Sequence, residues 1–123
     1  MTIQDCYKEF GGDYAGIKER LYSDALIGRF IRGFLSDDSY DRLCHAMEVG
    51  RCEDAFRAAH TLKGVSGNLG LTGLYTSAGR LSDHLRSLPE SIPADAAPIL
   101  EEIKQDYALT VAAIRAYLDD VGL

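Results

Sequence analysis

A histidine followed three residues later by a lysine and then a glycine, His60-Thr61-Leu62-Lys63-Gly64, stands in the middle of an apolar helical repeat. A neutral imidazole nitrogen is a competent nucleophile near neutral pH, and an ammonium one turn away can offset the charge of a phosphoryl group. Cys52, Ala55, Ala59, Leu62, Ser66 and Leu69 recur at alternating gaps of three and four, which predicts a single buried seam. With His60 set at zero and about 100° per residue, that seam centres near 230°, so His60 should face solvent about 130° from the core. Its surface neighbours are then Gly67, Phe56 and Gly64 within about 40°, and Arg57 and Lys63 within about 60°. The ring stands between two bare turns. Each helix-interior glycine costs roughly 1 kcal/mol against alanine, so instability is tolerated beside an exposed imidazole, as expected where a second molecule must approach closely.

Charge placement points the same way. The chain holds 13 basic and 19 acidic residues for a net charge of −6, yet Ala55–Ser82 contains Arg57, Lys63 and Arg80 and no carboxylate. A locally positive field on an acidic protein suits an anionic group or partner. The overall charge argues against a nucleic-acid backbone or an anionic membrane as the main partner.

Other chemistries lack the residues they need. Cys44, His45, Cys52, His60 and His84 show neither Cys-x-x-Cys pairs nor Glu-x-x-His spacing, so no metal site is expected. Gly64, Gly67, Gly70 and Gly73 recur every third residue but follow no strand, which excludes a nucleotide-binding loop, and no cofactor is expected. No activated serine or cysteine and no carboxylate pair accompanies His60, so self-contained hydrolysis is not expected. His45 and His84 lack glycine and cationic neighbours and are read as idle surface residues. Phe56 reads equally well as bundle-edge packing or as a docking contact.

The elements that must position His60 are helices. Strand signals are weak, and the prolines cluster at Pro89, Pro93 and Pro98. Tyr14, Ile17 and Leu21 suggest one short helix; Leu26, Phe30, Ile31, Phe34 and Leu35 suggest another, ending before Ser36-Asp37-Asp38-Ser39. A third carries Tyr40, Leu43 and Met47 and stops at Gly50. After the histidine helix, Thr72 is expected to cap a helix with the buried line Leu74, Ala78, Leu81, Leu85, Leu88, ending at Pro89. Asp95 is expected to cap the last and longest, whose face is Ile99, Ile103, Tyr107, Thr110, Ile114, Tyr117, Val121. The predicted fold is all-α: an antiparallel four-helix bundle with additional short N-terminal helices, as one domain over residues 1–123. The odd cysteine count (Cys6, Cys44, Cys52), the absence of a leader pattern and the shortness of every apolar run lead to the expectation of a cytoplasmic monomer with reduced thiols and no membrane partner.

The run Ala59-His60-Thr61-Leu62-Lys63-Gly64-Val65-Ser66-Gly67-Asn68-Leu69-Gly70 resembles the signature of histidine-containing phosphotransfer (HPt) domains. Phe34-Leu35, Leu43–Gly50 and the helix after the motif are similar to the family's layout as well. The resemblance implies that His60 is the phosphoryl acceptor and Lys63 its supporting cation, with Gly64 the small residue that admits a receiver domain. It implies response-regulator receiver domains as partners, with a hybrid sensor histidine kinase as a further one, and no binding of ATP. Gly67, Phe56 and Arg57 join Gly64 as expected docking residues from their places around His60. Two positions depart from the family: Arg51 stands where an acidic residue is frequent, and Leu81-Ser82 where a Leu-Glu pair is frequent. The reading from a different class is a helical module that binds a receiver or kinase without being phosphorylated.

Overall fold

The computed structural model describes residues 1–122, and among these every regular element is helical. The order is α1 (Ile3–Glu9), α2 (Tyr14–Leu21), α3 (Asp24–Phe34), α4 (Ser39–Val49), α5 (Cys52–Asn68), α6 (Thr72–Leu85), a 3-10 turn (Ala94–Ala96) and α7 (Ala97–Val121). The bundle is formed by α4 to α7, each packed on the next in sequence, with α1 laid against α7. Tyr40 of α4 and Tyr107 of α7 stack with ring centres 3.7 Å apart, which closes the bundle between its first and last helices. No described helix is long and apolar enough to cross a membrane.

The seam predicted for α5 is the one that is buried. Ala55, Ala59, Leu62 and Ser66 have no exposed surface, with Cys52 and Leu69 nearly as deep. Alanines at 55, 58 and 59 let neighbouring backbones come close, so this helix sits at the centre of the fold with little freedom to roll. Gly50 ends α4 with φ +77°, where a residue bearing a Cβ would be strained.

Several expected positions differ. Thr72 is the first helical residue rather than a cap, and its hydroxyl donates to the Gly70 carbonyl at 3.4 Å. Leu88 lies beyond the end of α6, exposed at φ +50°, because the helix stops at Leu85, three residues before the expected end. Asp95 belongs to the 3-10 turn and pairs with His84 at 2.8 Å. Val121 and Phe30 are also exposed, since burial fades at the end of α7 and the wet side of α3 is set by Ile27, Ile31 and Phe34 turning inward.

The first helix has no counterpart among the expected elements. It is short, but Thr2 and Asp5 form a reciprocal capping box, with the Thr2 hydroxyl accepting from Asp5 N at 3.0 Å and Asp5 accepting from Thr2 N at 3.1 Å. It buries Ile3, Cys6 and Tyr7 in the core shared with the bundle. Burial pushes the Cys6 thiol up to about 11, so it stays protonated and inert.

This N-terminal segment braces the end of the histidine helix. The Tyr7 hydroxyl donates to the Leu69 carbonyl at 2.6 Å, and Asp13 N donates to the Gly70 carbonyl at 2.9 Å. Both carbonyls lie just past α5, where a helix leaves acceptors unsatisfied. Tyr7→Phe should therefore cost about 1–2 kcal/mol, because a buried carbonyl loses its donor while the ring still packs. Denaturant unfolding reads this directly, and an unchanged midpoint would show that the brace contributes nothing.

Candidate functional site

The burial of Ala55, Ala59 and Leu62 turns the opposite side of α5 to solvent, and His60 is exposed there. Its ring lies roughly parallel to Phe56 one turn earlier, centres 6.1 Å apart at 22°. Phe56 is half-buried against the core, and the guanidinium of Arg86, the residue just past α6, lies 5.8 Å from its ring centre. The packing role expected of Phe56 is thus present.

Lys63 is half-buried. The stem crosses α6 at Gly79, where an added Cβ would meet the lysine Cδ and Cε at 3.4 Å. The ammonium lies 5.7 Å from the centre of the Tyr75 ring, and no carboxylate among the described residues pairs with it. Asp83, one turn beyond Gly79, accepts from Arg86 at 2.8 Å. That hydrogen bond holds the Asp83 carboxyl below its ordinary value, and the charges of Arg86 and Lys63 add to the effect. The antiparallel course of α5 and α6 is visible in these contacts: Phe56 with Arg86, Lys63 with Gly79, and Gly67 with Tyr75 run in opposite order along the two helices.

The two glycines beside His60 are not equivalent. A Cβ at Gly64 would meet nothing within 4 Å, so that turn is open. A Cβ at Gly67 would come within 2.8 Å of Tyr75 Cδ1, so that turn is already covered by an aromatic ring of the same chain. His60, Lys63, Gly64, Gly67, Asn68 and Tyr75 line one open groove of about 530 Å³.

Arg57 is not part of it. It faces a separate polar hollow toward α4 and holds Glu53 at 2.6 Å; Arg80 likewise pairs with Glu102 of α7. The positive window is therefore mostly compensated, and of its three cations only Lys63 keeps an ammonium without a carboxylate among the described residues. Glu53 lies just before the window at i−4 from Arg57, a spacing that could have shown the pairing; Glu102 is distant in sequence and could not. Tyr75, Gly79 and Arg86 were not anticipated, since only the packing of α6 on α5 brings them to the groove.

An exposed imidazole, a cation beside it and an open turn next to both can receive a group from another molecule's surface. The sequence profile of the Hpt domain matches residues 35–121. The chain belongs to the Hpt domain family. Hpt domains are phosphocarrier modules of two-component signalling that interact with receiver domains and kinases. No curated protein and no solved structure matches the chain. The matched residues begin at Leu35, so the helices bracing α5 from the N-terminal side lie outside the Hpt profile. The family's departures are also visible in space: Arg51 occupies the N-cap of α5 without a side-chain cap, and the buried Ser82 hydroxyl has no partner.

The unequal surroundings of the two glycines separate their alanine variants. Gly64→Ala should stabilise the fold by about 0.5–1 kcal/mol, the helix-propensity gain at an open site. Gly67→Ala should give no such gain, because the new methyl must displace the Tyr75 ring. Paired thermal melts check this, and equal gains would show that the ring is not held over Gly67.

Proposed function

We propose that this Hpt domain is a phosphorelay intermediate in which His60 takes a phosphoryl group from the aspartate of one receiver domain and passes it to another. The observation that supports the reading best is the conjunction at one groove of an exposed His60, an uncompensated Lys63 ammonium and empty space over Gly64. In the forward step an unprotonated ring nitrogen of His60 attacks phosphorus. The N–P bond forms as the bond from phosphorus to the aspartyl oxygen breaks, and the carboxylate leaves with the electron pair. The other ring nitrogen carries the proton, and the return step reverses these changes. Lys63 acts on the oxygens of the group in flight, where charge is spread over three atoms. Gly64 is the clearance that lets the partner's aspartate reach the ring in line.

In this division of labour the receiver supplies the aspartate and the metal ion that its own chemistry uses. This chain supplies a nucleophile, one cation and room. Arg57, expected as a docking residue, lies outside this groove and pairs with Glu53 across an exposed turn.

The test is labelling with a panel of receiver domains phosphorylated on aspartate. The parent protein should take up acid-labile phosphate, His60→Gln should take up none, and ATP alone should label neither. Lys63→Ala should slow transfer by about ten-fold or more with little change in complex affinity, as expected for a cation acting mainly in the transition state. Label persisting on His60→Gln would refute the assignment. Tight binding of a receiver by a parent that never becomes labelled would favour a non-phosphorylated interaction module instead.

A further inference from the structure

Tyr75 has no part in the transfer as written, yet it is a large aromatic side chain left 42% exposed on the outer side of α6, away from the buried line Leu74, Ala78, Leu81 and Leu85. Its ring is held by what is missing from the neighbouring helix: Gly67 offers no Cβ, and one would come within 2.8 Å of Cδ1 and 3.0 Å of Cε1. From this place the ring faces the Lys63 ammonium at 5.7 Å. We infer that Tyr75 is a positioning residue for Lys63, seated on the bare turn at Gly67 and holding the ammonium at the groove without neutralising it. The inference deepens the phosphotransfer reading and rests on it.

The stripe Tyr75, Gly79, Asp83 explains why a ring does this work. These residues are four apart on α6 and lie along one side of it, and the Lys63 stem crosses between the first and the last at Gly79. Along this stripe of α6 Lys63 thus has two candidate partners, an aromatic face in one direction and a carboxylate in the other. Arg86 already occupies the carboxylate. An ammonium paired with Asp83 would have its charge cancelled before a phosphoryl group arrived. Over an aromatic face it is attracted by the ring quadrupole and keeps its full charge. A lysine held in this way loses less rotamer freedom when it meets the group in flight, so ordering is done in advance. Gly67 then serves an internal purpose, and only Gly64 provides clearance for a partner.

The experiment combines transfer kinetics with a spectroscopic reading of the contact. Using a receiver domain phosphorylated on aspartate, Tyr75→Leu should slow transfer to His60 by about two- to five-fold, the size of an exposed cation–π contact, without weakening the complex. Tyr75→Phe, which keeps the ring, should transfer at close to the parent rate. Gly67→Ala should slow the parent but add nothing in a Tyr75→Leu background. In NMR spectra the Lys63 ε-methylene protons should show an upfield ring-current shift that is lost in Tyr75→Leu and in Gly67→Ala and kept in Tyr75→Phe. A Gly67→Ala penalty equal in both backgrounds would overturn the proposal, because the glycine would then be clearing space for the partner. Absence of the ring-current shift in the parent would overturn it as well, by removing the contact. A parent that no receiver labels would defeat the carrier reading, a failure separate from the Lys63 shift.

Discussion

The rotational setting of α5 is the constraint from which everything at the groove follows. Ala55, Ala59, Leu62 and Ser66 are sealed on one side of the helix, and a roll by a single residue, about 100°, would bury the imidazole and expose the seam. Burial of the apolar residues of that line against α4 and α6 keeps His60 on the surface, with no need for a hydrogen bond to hold it. The end of the same helix is fixed separately. Tyr7 and Asp13 donate to the Leu69 and Gly70 carbonyls, so a segment outside the Hpt match secures a helix inside it.

Four bare backbone positions surround the motif, and each answers a different need. Gly64 faces open space. Gly67 receives the Tyr75 ring, and Gly79 receives the Lys63 stem. Gly70 carries the turn out of α5 at φ +70°, where a Cβ would also meet the Asp13 carbonyl at 2.9 Å. Glycine content beside a histidine therefore does not translate directly into clearance for a partner. Two of these absences are filled from within, and the filling sets where the Lys63 ammonium lies.

Much of this was legible in the residues, because the strongest signals were local. Spacing of small and apolar residues from Cys52 to Leu69 was sufficient to place His60 outward, and the glycine at position 50 marked a helix end where one occurs. Features that depend on a second helix were not legible. The Arg80 charge of the positive window is paired with Glu102 through the packing of α6 against α7, and Tyr75 reached Gly67 only because α5 and α6 run antiparallel. Leu88 and Val121 continued an apolar period past the point where neighbours remain to cover them, so periodicity alone overextended α6 and, in α7, the buried face though not the helix itself. The short α1 was missed because seven residues are too few to establish a period, although its cap chemistry at Thr2 and Asp5 was available to be read.

The central claim is that the open turn at Gly64 is kept for the approach of another molecule and not for the fold. Gly64→Gln tests it most directly, by comparing the melting temperature and helical content of the variant with its rate of phosphate uptake from a phosphorylated receiver domain. The account predicts a protein as stable as the parent or slightly more so, because nothing lies within 4 Å of the added Cβ, with uptake reduced by at least about ten-fold as the side chain fills the path to His60. A folded Gly64→Gln protein that takes up phosphate at the parent rate would contradict it.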